Sequence, residues 1–176
     1  MAFGKLGEES LHCDFPMIDL NSGEVLLQVA ALNAAYARCI DSDRLEDWPQ
    51  LFSKNGTYRV TTEANHARGL DLALIYADGR GMLHDRITAL RRANIFERHR
   101  YRHLIALPSF VKQDGNVLTA ETPFAIFRIM REQNSCLFVT GRYLDVLRSV
   151  SSGLEIEERL VVCDSEIIDT LLVVPL

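Results

Sequence analysis

Two short stretches of the sequence carry side chains that could do chemistry, and the first is the run from Glu97 to His103. Its residues read ERHRYRH, so His99 and His103 lie four positions apart and could share a metal ion if the run were helical. The run continues directly into apolar residues 104–107, which favour a strand, and four residues of an extended chain span about 13 Å. One ion cannot bridge that distance. We therefore expect no metal site here, and we expect both histidines to pair with backbone groups or carboxylates.

The second stretch contains Tyr76, His84 and Asp85, which could form an acid/base group. Histidine titrates near neutral pH, and a neighbouring carboxylate can orient it. The alternative is that His84 and Asp85 are exposed residues in the first turns of a helix, where an aspartate interacts favourably with the helix dipole. The sequence favours the second interpretation.

No other motif points to a reaction. The sequence contains no G-x-S-x-G, no P-loop and no G-x-G-x-x-G, and Gly79-Arg-Gly81 lacks the third glycine. The four cysteines, at positions 13, 39, 136 and 163, form no C-x-x-C pair, which excludes zinc ribbons and cysteine-ligated clusters. Isolated thiols without a secretory signal predict a cytoplasmic protein, and no segment has the roughly 20 apolar residues of a membrane helix.

Charge is distributed unevenly along the chain. The 176 residues carry 19 basic and 24 acidic side chains, and the net charge of −5 argues against a general binder of nucleic acid or anionic membranes. Between Arg86 and Arg102, however, there are six arginines and a single acid, Glu97. Such a stretch is either a solvated basic face or an interface, because arginine is favoured where a partner's carboxylates are bound by two hydrogen bonds.

The length and the 48% apolar content predict one compact domain over residues 21–176, preceded by a short arm at residues 1–20. The sequence ends in Leu171-Leu-Val-Val-Pro-Leu176, although chain ends are normally polar and fray. We expect residues 168–176 to pack against the protein's own sheet or against a neighbour.

Helical periodicity is confined to the first half of the chain. Asn21 and Glu24 have the spacing of an N-cap and its partner, and apolar residues follow at helical spacing up to Ile40. We also expect a second short helix through Leu45 and Trp48 and a third helix over residues 81–94. Between these helices the pattern predicts a turn at residues 54–56, a strand over residues 58–62 and an extended piece at residues 72–76.

The second half is β-prone. Strands are expected at residues 103–111, 117–130, 135–150 and 154–163, and the turn sequences between them predict antiparallel neighbours. In the last strand Leu160 is expected on the buried face and Arg159 on the opposite face. Glu158 interrupts the apolar face, which is typical of a sheet edge or of a twisted position in a strand. Helices followed by such strands predict an α+β domain in which a curved antiparallel sheet holds the early helices on its concave side.

Several strings of residues occur in the order found in small (β) subunits of aromatic-ring-hydroxylating dioxygenases. The chain resembles that family from about Val25 to Leu176, and it most resembles the terephthalate dioxygenase small subunits. The strings are Asp41-Ser-Asp43 with Trp48 and Phe52, Tyr58-Arg-Val60, Met82-Leu-His-Asp85-Arg86-Ile87, Glu97 to His103, Val162-Cys-Asp-Ser165, Asp169-Thr-Leu171 and Pro175-Leu176. The resemblance implies a cone-like fold of the nuclear transport factor 2 (NTF2-like, cystatin-like) type, in agreement with the α+β domain.

The resemblance also implies that the two kinds of subunit have different roles. In this family three large (α) and three small subunits form a hexamer, and the large subunit holds a Rieske [2Fe-2S] cluster and a mononuclear Fe(II). A reductase, sometimes with a ferredoxin, supplies electrons from NAD(P)H, and the product is an arene cis-dihydrodiol, here favoured to come from a terephthalate-like aromatic carboxylate. This sequence has neither the C-x-H and C-x-x-H pairs of a Rieske centre nor two histidines converging with a carboxylate. We therefore expect a structural subunit without catalytic, cofactor-binding or metal-binding residues.

The arginine run and the apolar end then become candidate subunit contacts. Our hypothesis is that Arg98, Arg100 and Arg102 pair with carboxylates of the large subunit or of a neighbouring small one. The full set of candidate interface residues is Arg98, His99, Arg100, Tyr101, Arg102, Asp164 and Leu176. The alternative function is a free-standing isomerase or dehydratase, or a ligand-binding module, of the ketosteroid-isomerase type, which would need an Asp or His with a perturbed pKa inside the cone.

Overall fold

Helices and two strands come first, and a run of five strands follows. The structure is a computed structural model that describes residues 23–92, 99–130, 134–166, 172 and 174–176. The first half contains α1 (Gly23–Asp41), a 3-10 helix (Trp48–Leu51), β1 (Phe52–Thr62), α2 (Glu63–Ala67), β2 (Ile75–Asp78) and α3 (Gly79–Arg92). The second half contains β3 (His99–Ile105), β4 (Phe110–Asp114), β5 (Val117–Met130), β6 (Cys136–Val150) and β7 (Gly153–Cys163).

The two long helices confirm the periodicity seen in the sequence. In α1 one face is buried, and it includes Val29, Tyr36 and Ile40. In α3 the buried residues are Leu83, Ile87 and Leu90, and the helix begins two residues earlier than predicted, at Gly79. The short helix expected through residues 45–48 is instead a series of turns followed by the 3-10 helix, while the predicted N-cap at residue 21 lies outside the described residues.

The seven strands form one sheet in the order β2-β1-β7-β6-β5-β3, with β4 alongside the first half of β5. Strands β5, β6 and β7 form the predicted antiparallel meander. Strand β1, however, pairs parallel to β7, so the sheet is antiparallel except at this one pair. A parallel neighbour requires a long connection, and here it comprises everything between β1 and β7.

Two local predictions were wrong. Residues 54–56 do not form a turn but lie inside β1, where the register against β7 shifts between Phe52 and Thr57. Glycine is needed there, because a Cβ atom on Gly56 would lie 2.6 Å from the carbonyl oxygen of Ile156. The single strand expected over residues 103–111 is divided into β3 and β4 at a break that contains Pro108, which has no N–H to donate to a ladder.

The core lies between the helices and the inner face of the sheet. Buried side chains of α1, the 3-10 helix and α3 form one cluster with the inward residues of the strands, and Leu172 and Leu176 belong to it. This arrangement confirms the α+β architecture with early helices packed on the sheet. Among the described helices, none combines the length and apolar character that a membrane crossing needs.

Candidate functional site

A bulge in β7 turns a charged side chain into the core. The register between β6 and β7 shifts so that Val146 is opposite Glu158 and Leu147 is opposite Ile156, which leaves Glu157 as an extra residue. Beyond the bulge the alternation is reversed, so Arg159 is buried and Glu158 is exposed. The predicted outward position of Arg159 was therefore wrong. Of the two positions expected for Glu158, the sheet edge was wrong, because β7 lies between β1 and β6, whereas the twisted position agrees with the bulge, which increases the local twist of a strand.

The buried Arg159 is the centre of a polar cluster. Its Nε and Nη2 atoms donate to the two carboxylate oxygens of Asp145 at 2.8 and 2.7 Å, and Nη2 also donates to Asn33 Oδ1. Asn33 Nδ2 in turn donates to Thr122 Oγ1 at 3.2 Å. Both side chains of the Arg159–Asp145 pair are 0% exposed. The cluster joins α1 to strands β5, β6 and β7 with hydrogen bonds that satisfy most of its buried polar atoms.

Two tyrosine rings enclose the guanidinium group. The Arg159 Cζ atom lies 4.2 Å from the ring centroid of Tyr36 and 4.2 Å from that of Tyr143. Burial alone would lower the pKa of Arg159, but the Asp145 carboxylate and its hydrogen bonds outweigh desolvation and raise that pKa above its ordinary value. Burial also raises the pKa of Tyr36 and, further, that of Tyr143. The arginine is therefore charged and both phenols are neutral near neutral pH.

The last residue of the sequence fills the neighbouring part of the interior. Leu176 is fully buried. Tyr36 Oη donates to its carbonyl oxygen at 2.6 Å, and its N–H donates to Tyr58 Oη at 3.0 Å. Arg86 Nη2 holds the segment from outside by donating to the carbonyl oxygen of Leu172 at 2.7 Å. The prediction that this apolar segment packs against the protein's own sheet is confirmed for Leu172 and Leu176, whereas residues 167–171 and 173 lie outside the described residues.

The candidate acid/base group is not assembled inside the cone. His84 and Asp85 are exposed on α3, and Tyr76 is exposed on β2. The hydrogen-bond partner of the His84 ring is Gln50, at 3.3 Å. The interpretation of His84 and Asp85 as exposed helix residues is confirmed.

Residues 99–103 of the ERHRYRH run divide into an inner and an outer side. The ring Nδ1 of His103 and the carboxylate of Asp41 are 2.6 Å apart, and the His103 backbone N–H donates to the same carboxylate. This contact confirms that His103 pairs with a carboxylate, and it attaches the end of α1 to β3. The pair lies in the wall of a groove of about 830 Å³ between α1 and β3.

The candidate interface residues are distributed between the core and the surface. Tyr101 is buried and stacks on Phe138 with a centroid distance of 5.2 Å, and Leu176 is enclosed as described above. His99 is half-buried, whereas Arg100, Arg102 and Asp164 are exposed. Arg98 lies outside the described residues. The exposed members are therefore the ones that can meet another subunit.

The described residues do not fit a Rieske cluster or an iron site. Within residues 23–92, 99–130, 134–166, 172 and 174–176, no three His, Cys, Asp or Glu side chains converge. A thiol must lose its proton to bind iron, and burial raises the pKa of Cys39 and raises that of Cys163 to about 12. We derive no metal chemistry from this chain's residues.

Similarity to known proteins extends over most of the chain. The family model described as ring hydroxylating beta subunit matches residues 35–170. The terephthalate 1,2-dioxygenase terminal oxygenase component subunit beta 1 of Comamonas sp. is 49% identical over 150 residues, which are 85% of this chain and 97% of that protein. This chain belongs to the ring-hydroxylating β-subunit family.

Other members of the family agree in sequence and in fold. The anthranilate 1,2-dioxygenase small subunit of Burkholderia cepacia is 30% identical to this β subunit over 149 residues, which are 85% of this chain and 92% of that protein. The crystal structure of an aromatic-ring-hydroxylating dioxygenase β subunit from Novosphingobium aromaticivorans has a TM-score of 0.80 and 32% identity, and the match covers 89% of this chain and 99% of that chain. The predicted family and the predicted cone-like α+β fold are confirmed.

Sequence reasoning missed the buried cluster around Arg159. The signal was present in the sequence of β7, because the break in alternation at Glu158 is what a bulge produces. It also missed the exposed apolar row Leu70, Leu72, Leu74 and Tyr76, which recurs at every second residue next to β2.

Proposed function

We propose that this β subunit is a structural, non-catalytic part of an oxygenase component in which a large subunit carries out the reaction. The observation that carries this proposal is the filled interior of the cone. Arg159, Asp145, Tyr36, Tyr143 and Leu176 occupy it with well-packed and largely hydrogen-bonded side chains. The buried carboxylate of Asp145 neutralises Arg159, so it is not available as a base for a substrate.

The proposed partner is a large subunit that holds a Rieske [2Fe-2S] cluster and a mononuclear Fe(II). Three large and three small subunits form the proposed cytoplasmic hexamer, to which a reductase, with or without a ferredoxin, delivers electrons from NAD(P)H. The proposed substrate is a terephthalate-like aromatic carboxylate. The support for this substrate is the 49% identity to a terephthalate dioxygenase β subunit, against 30% to an anthranilate dioxygenase subunit.

The proposed interface includes Arg100 and Arg102 of β3, together with Asp164. Arg100 and Arg102 alternate with the buried Tyr101 and His103, so both point away from the core. The side chain of Arg102 is 64% exposed, and its nearest carboxylate is that of Asp41 at 4.0 Å. These guanidinium groups are therefore free to form two-point hydrogen bonds with carboxylates of another subunit.

Co-expression with a large subunit tests the proposal. The wild-type chain should co-purify in a brown, iron-containing complex, while Arg100→Glu should reduce recovery of that complex at least tenfold, as expected for reversal of one charge in a desolvated interface pair. The control is Lys112→Glu, which reverses an exposed charge on β4 and should leave recovery unchanged.

Each variant is first checked for folding by circular dichroism of the isolated chain. Undiminished recovery with Arg100→Glu would contradict the assigned interface. A colourless homodimer that converts a small carbonyl compound by itself would contradict the structural role and support the isomerase or dehydratase alternative.

A further inference from the structure

Two buried tyrosines bind the backbone of Leu176 inside the cone. Leu176 is 0% exposed and belongs to the same core cluster as Tyr36 and Tyr58. Its backbone oxygen lies 2.6 Å from Tyr36 Oη and 3.4 Å from Tyr58 Oη, so two phenol groups face one acceptor. Its N–H donates to Tyr58 Oη at 3.0 Å. Side chains thus satisfy both polar groups of this residue's backbone.

This pattern of hydrogen bonds differs from that of a strand. In the sheet, backbone groups pair with the backbone of a neighbouring strand. Leu176 is instead held by side chains of α1 and β1, and Leu172 by the Arg86 side chain of α3. A hydroxyl group donates equally well to an oxygen of its own chain and to an oxygen of a separate molecule. The contacts that hold Leu176 are therefore contacts that a small ligand could also make.

The aromatic rings around these hydroxyls are held by contacts that do not involve Leu176. Tyr36, Trp48 and Tyr58 are each 0% exposed. The centroid of the Trp48 ring lies 6.1 Å from that of Tyr36 and 5.2 Å from that of Tyr58, and both contacts are edge to face. The other face of the arrangement is fixed by Arg159, whose Cζ atom lies 4.2 Å from the Tyr36 centroid. The two hydroxyls are therefore preorganised, which lowers the entropy cost of binding a ligand.

Both hydroxyls keep their protons near neutral pH. Burial raises the pKa of Tyr36, and it raises that of Tyr58 well above the ordinary value. A protonated phenol donates one hydrogen bond and can accept another. Tyr36 and Tyr58 together can therefore donate to an oxygen and accept from an N–H group, as they do with Leu176.

We propose that the inside of the cone is a binding site for a small apolar molecule with one carbonyl or carboxylate oxygen, and that the chain's own Leu176 occupies this site as a tethered ligand. The proposal goes beyond the structural role, because it gives the reason why the interior is closed to other molecules. A group attached to the same chain is present at a high effective concentration and excludes competitors. Removal of this one residue should leave a leucine-sized cavity lined by two unpaired hydroxyls.

Deletion of Leu176 tests the proposal. The main probe is 4-methyl-2-pentanone, which joins a carbonyl oxygen to the branched carbon skeleton of a leucine side chain. The deletion variant should bind this ketone in isothermal titration calorimetry, and its Tm should rise by about 3–6 °C at a ketone concentration ten times the Kd. A parallel titration with 4-methylpentanoate shows whether the site prefers a carbonyl or a carboxylate oxygen. The wild-type chain should bind neither probe, because its site is occupied.

A second substitution separates a specific site from a greasy cavity. In the deletion variant, Tyr36→Phe should weaken ketone binding about tenfold, because the acceptor oxygen loses its donor. The same substitution should leave the affinity for 2-methylpentane, which has no oxygen, within about twofold. The matched control is Tyr101→Phe, because Tyr101 is a buried tyrosine that stacks on Phe138 of β6 and does not bond to Leu176.

Leu176→Gly provides a variant that keeps the backbone on both hydroxyls and loses only the side chain. Its affinity for the ketone should be insensitive to Tyr36→Phe, since the Tyr36 hydroxyl is already in use. If the deletion variant is unfolded without a ligand, the same titration is followed by the recovery of near-ultraviolet circular dichroism, which an excess of ketone should restore.

Three outcomes would overturn the proposal. The first is a deletion variant that neither binds nor is refolded by the ketone or the carboxylate. The second is an affinity of that variant for the ketone that is equal with and without Tyr36→Phe. The third is binding of the ketone by the wild-type chain at the affinity of the deletion variant, which would show that Leu176 does not occupy the site. None of these measurements involves a large subunit, so they are independent of the interface tested at Arg100.

Discussion

Arg159 carries a fully buried positive charge in the interior of the protein. A buried ion pair costs desolvation energy on both sides, and its attraction repays that cost only when the geometry is good and other polar atoms are satisfied. Here two hydrogen bonds to Asp145, one to Asn33 and the two tyrosine rings meet most of that condition, and Nη1 is the one guanidinium nitrogen without a hydrogen-bond partner among the described residues. The complete Arg159–Asp145 pair is therefore much more stable in the interior than either charged side chain would be without its partner.

Asp145→Asn should lower the free energy of unfolding by about 3–5 kcal/mol, because it leaves a buried guanidinium group without its counter-charge. Urea unfolding measures the change. The matched control is Glu157→Gln, which removes the partially exposed partner of Arg148 and should cost far less, because solvent screens that pair. The double variant Asp145→Leu/Arg159→Met should recover most of the loss, and equal costs for Asp145→Asn and Glu157→Gln would contradict this account.

The buried phenols predict a loss of stability at alkaline pH. Burial raises the pKa of Tyr36, Tyr58 and Tyr143 above the ordinary value of 10.0. The unfolded chain therefore releases these protons at a pH where the folded chain still holds them, so the contribution of these three phenols to stability is constant below about pH 10 and falls above it. Tyr143→Phe should make the fall less steep, because one of the three phenols is removed.

Urea unfolding at a series of pH values, with tyrosinate absorbance as a second signal, measures this dependence. The Tyr143 hydroxyl has no hydrogen-bond partner among the described residues, so the substitution itself should cost little at neutral pH. A stability curve that continues flat well above pH 10 would exclude the proposed burial of the three hydroxyls.

At the scale of the elements, irregularities in strand pairing determine which side chains point into the core and where two strands approach closely. The bulge in β7 turns Arg159 inward, and the one in β1 brings Gly56 against the backbone of β7. A second close approach occurs in β6, where a Cβ atom on Gly141 would lie 2.2 Å from the carbonyl oxygen of Val162. The close approach of the strands at these two positions therefore depends on residues that lack a side chain.

Gly141→Ala should destabilise the protein by about 1–3 kcal/mol, because the backbone of β6 or β7 must shift to accommodate the methyl group. Gly81→Ala provides the opposite case. A Cβ atom on Gly81 meets nothing within 4 Å, and the residue lies in α3, so the substitution should stabilise by about 0.4–1 kcal/mol. Thermal unfolding compares the two, and a stabilising Gly141→Ala would show that the sheet is not closely packed there.

At the scale of the whole molecule, the last residue of the sequence ties the first helix to the sheet. Leu176 is hydrogen-bonded to Tyr36, 140 positions earlier, and to Tyr58, 118 positions earlier. Contacts over such separations form only after both ends of the chain have been brought together. Leu176 belongs to the unusually apolar last segment of the sequence. Its burial therefore completes the packing inside the cone.

Leu176→Ala should lower the free energy of unfolding by about 2–5 kcal/mol, as for other leucines removed from a packed core. Leu107→Ala is the matched control: Leu107 is exposed, and the change should stay within about 0.5 kcal/mol. Denaturant unfolding of both variants checks the prediction. An unfolding free energy unchanged by Leu176→Ala would mean that the segment does not contribute to the core.

Much of the fold could be predicted because hydrophobic periodicity is a local property. The spacing of Val29, Tyr36 and Ile40 indicates α1, and long β-prone stretches bounded by turn residues indicate β5, β6 and β7. The family could be predicted for a related reason, since its short strings occur in order along the chain. The interface hypothesis at Arg100 and Arg102 follows from composition, and it stays a prediction.

The inward orientation of the Arg159 side chain and the burial of Leu176 could not be predicted from the local sequence pattern. A bulge changes which face every following side chain occupies, and its position is decided by how β6 and β7 pair rather than by either strand alone. Leu176 enters the core only because α1, β1 and the sheet leave a space that its side chain and backbone fit. Residue types and short-range spacing thus determine the elements and the family, whereas the pairing of distant segments decides which side chains lie inside and which surfaces remain for partners.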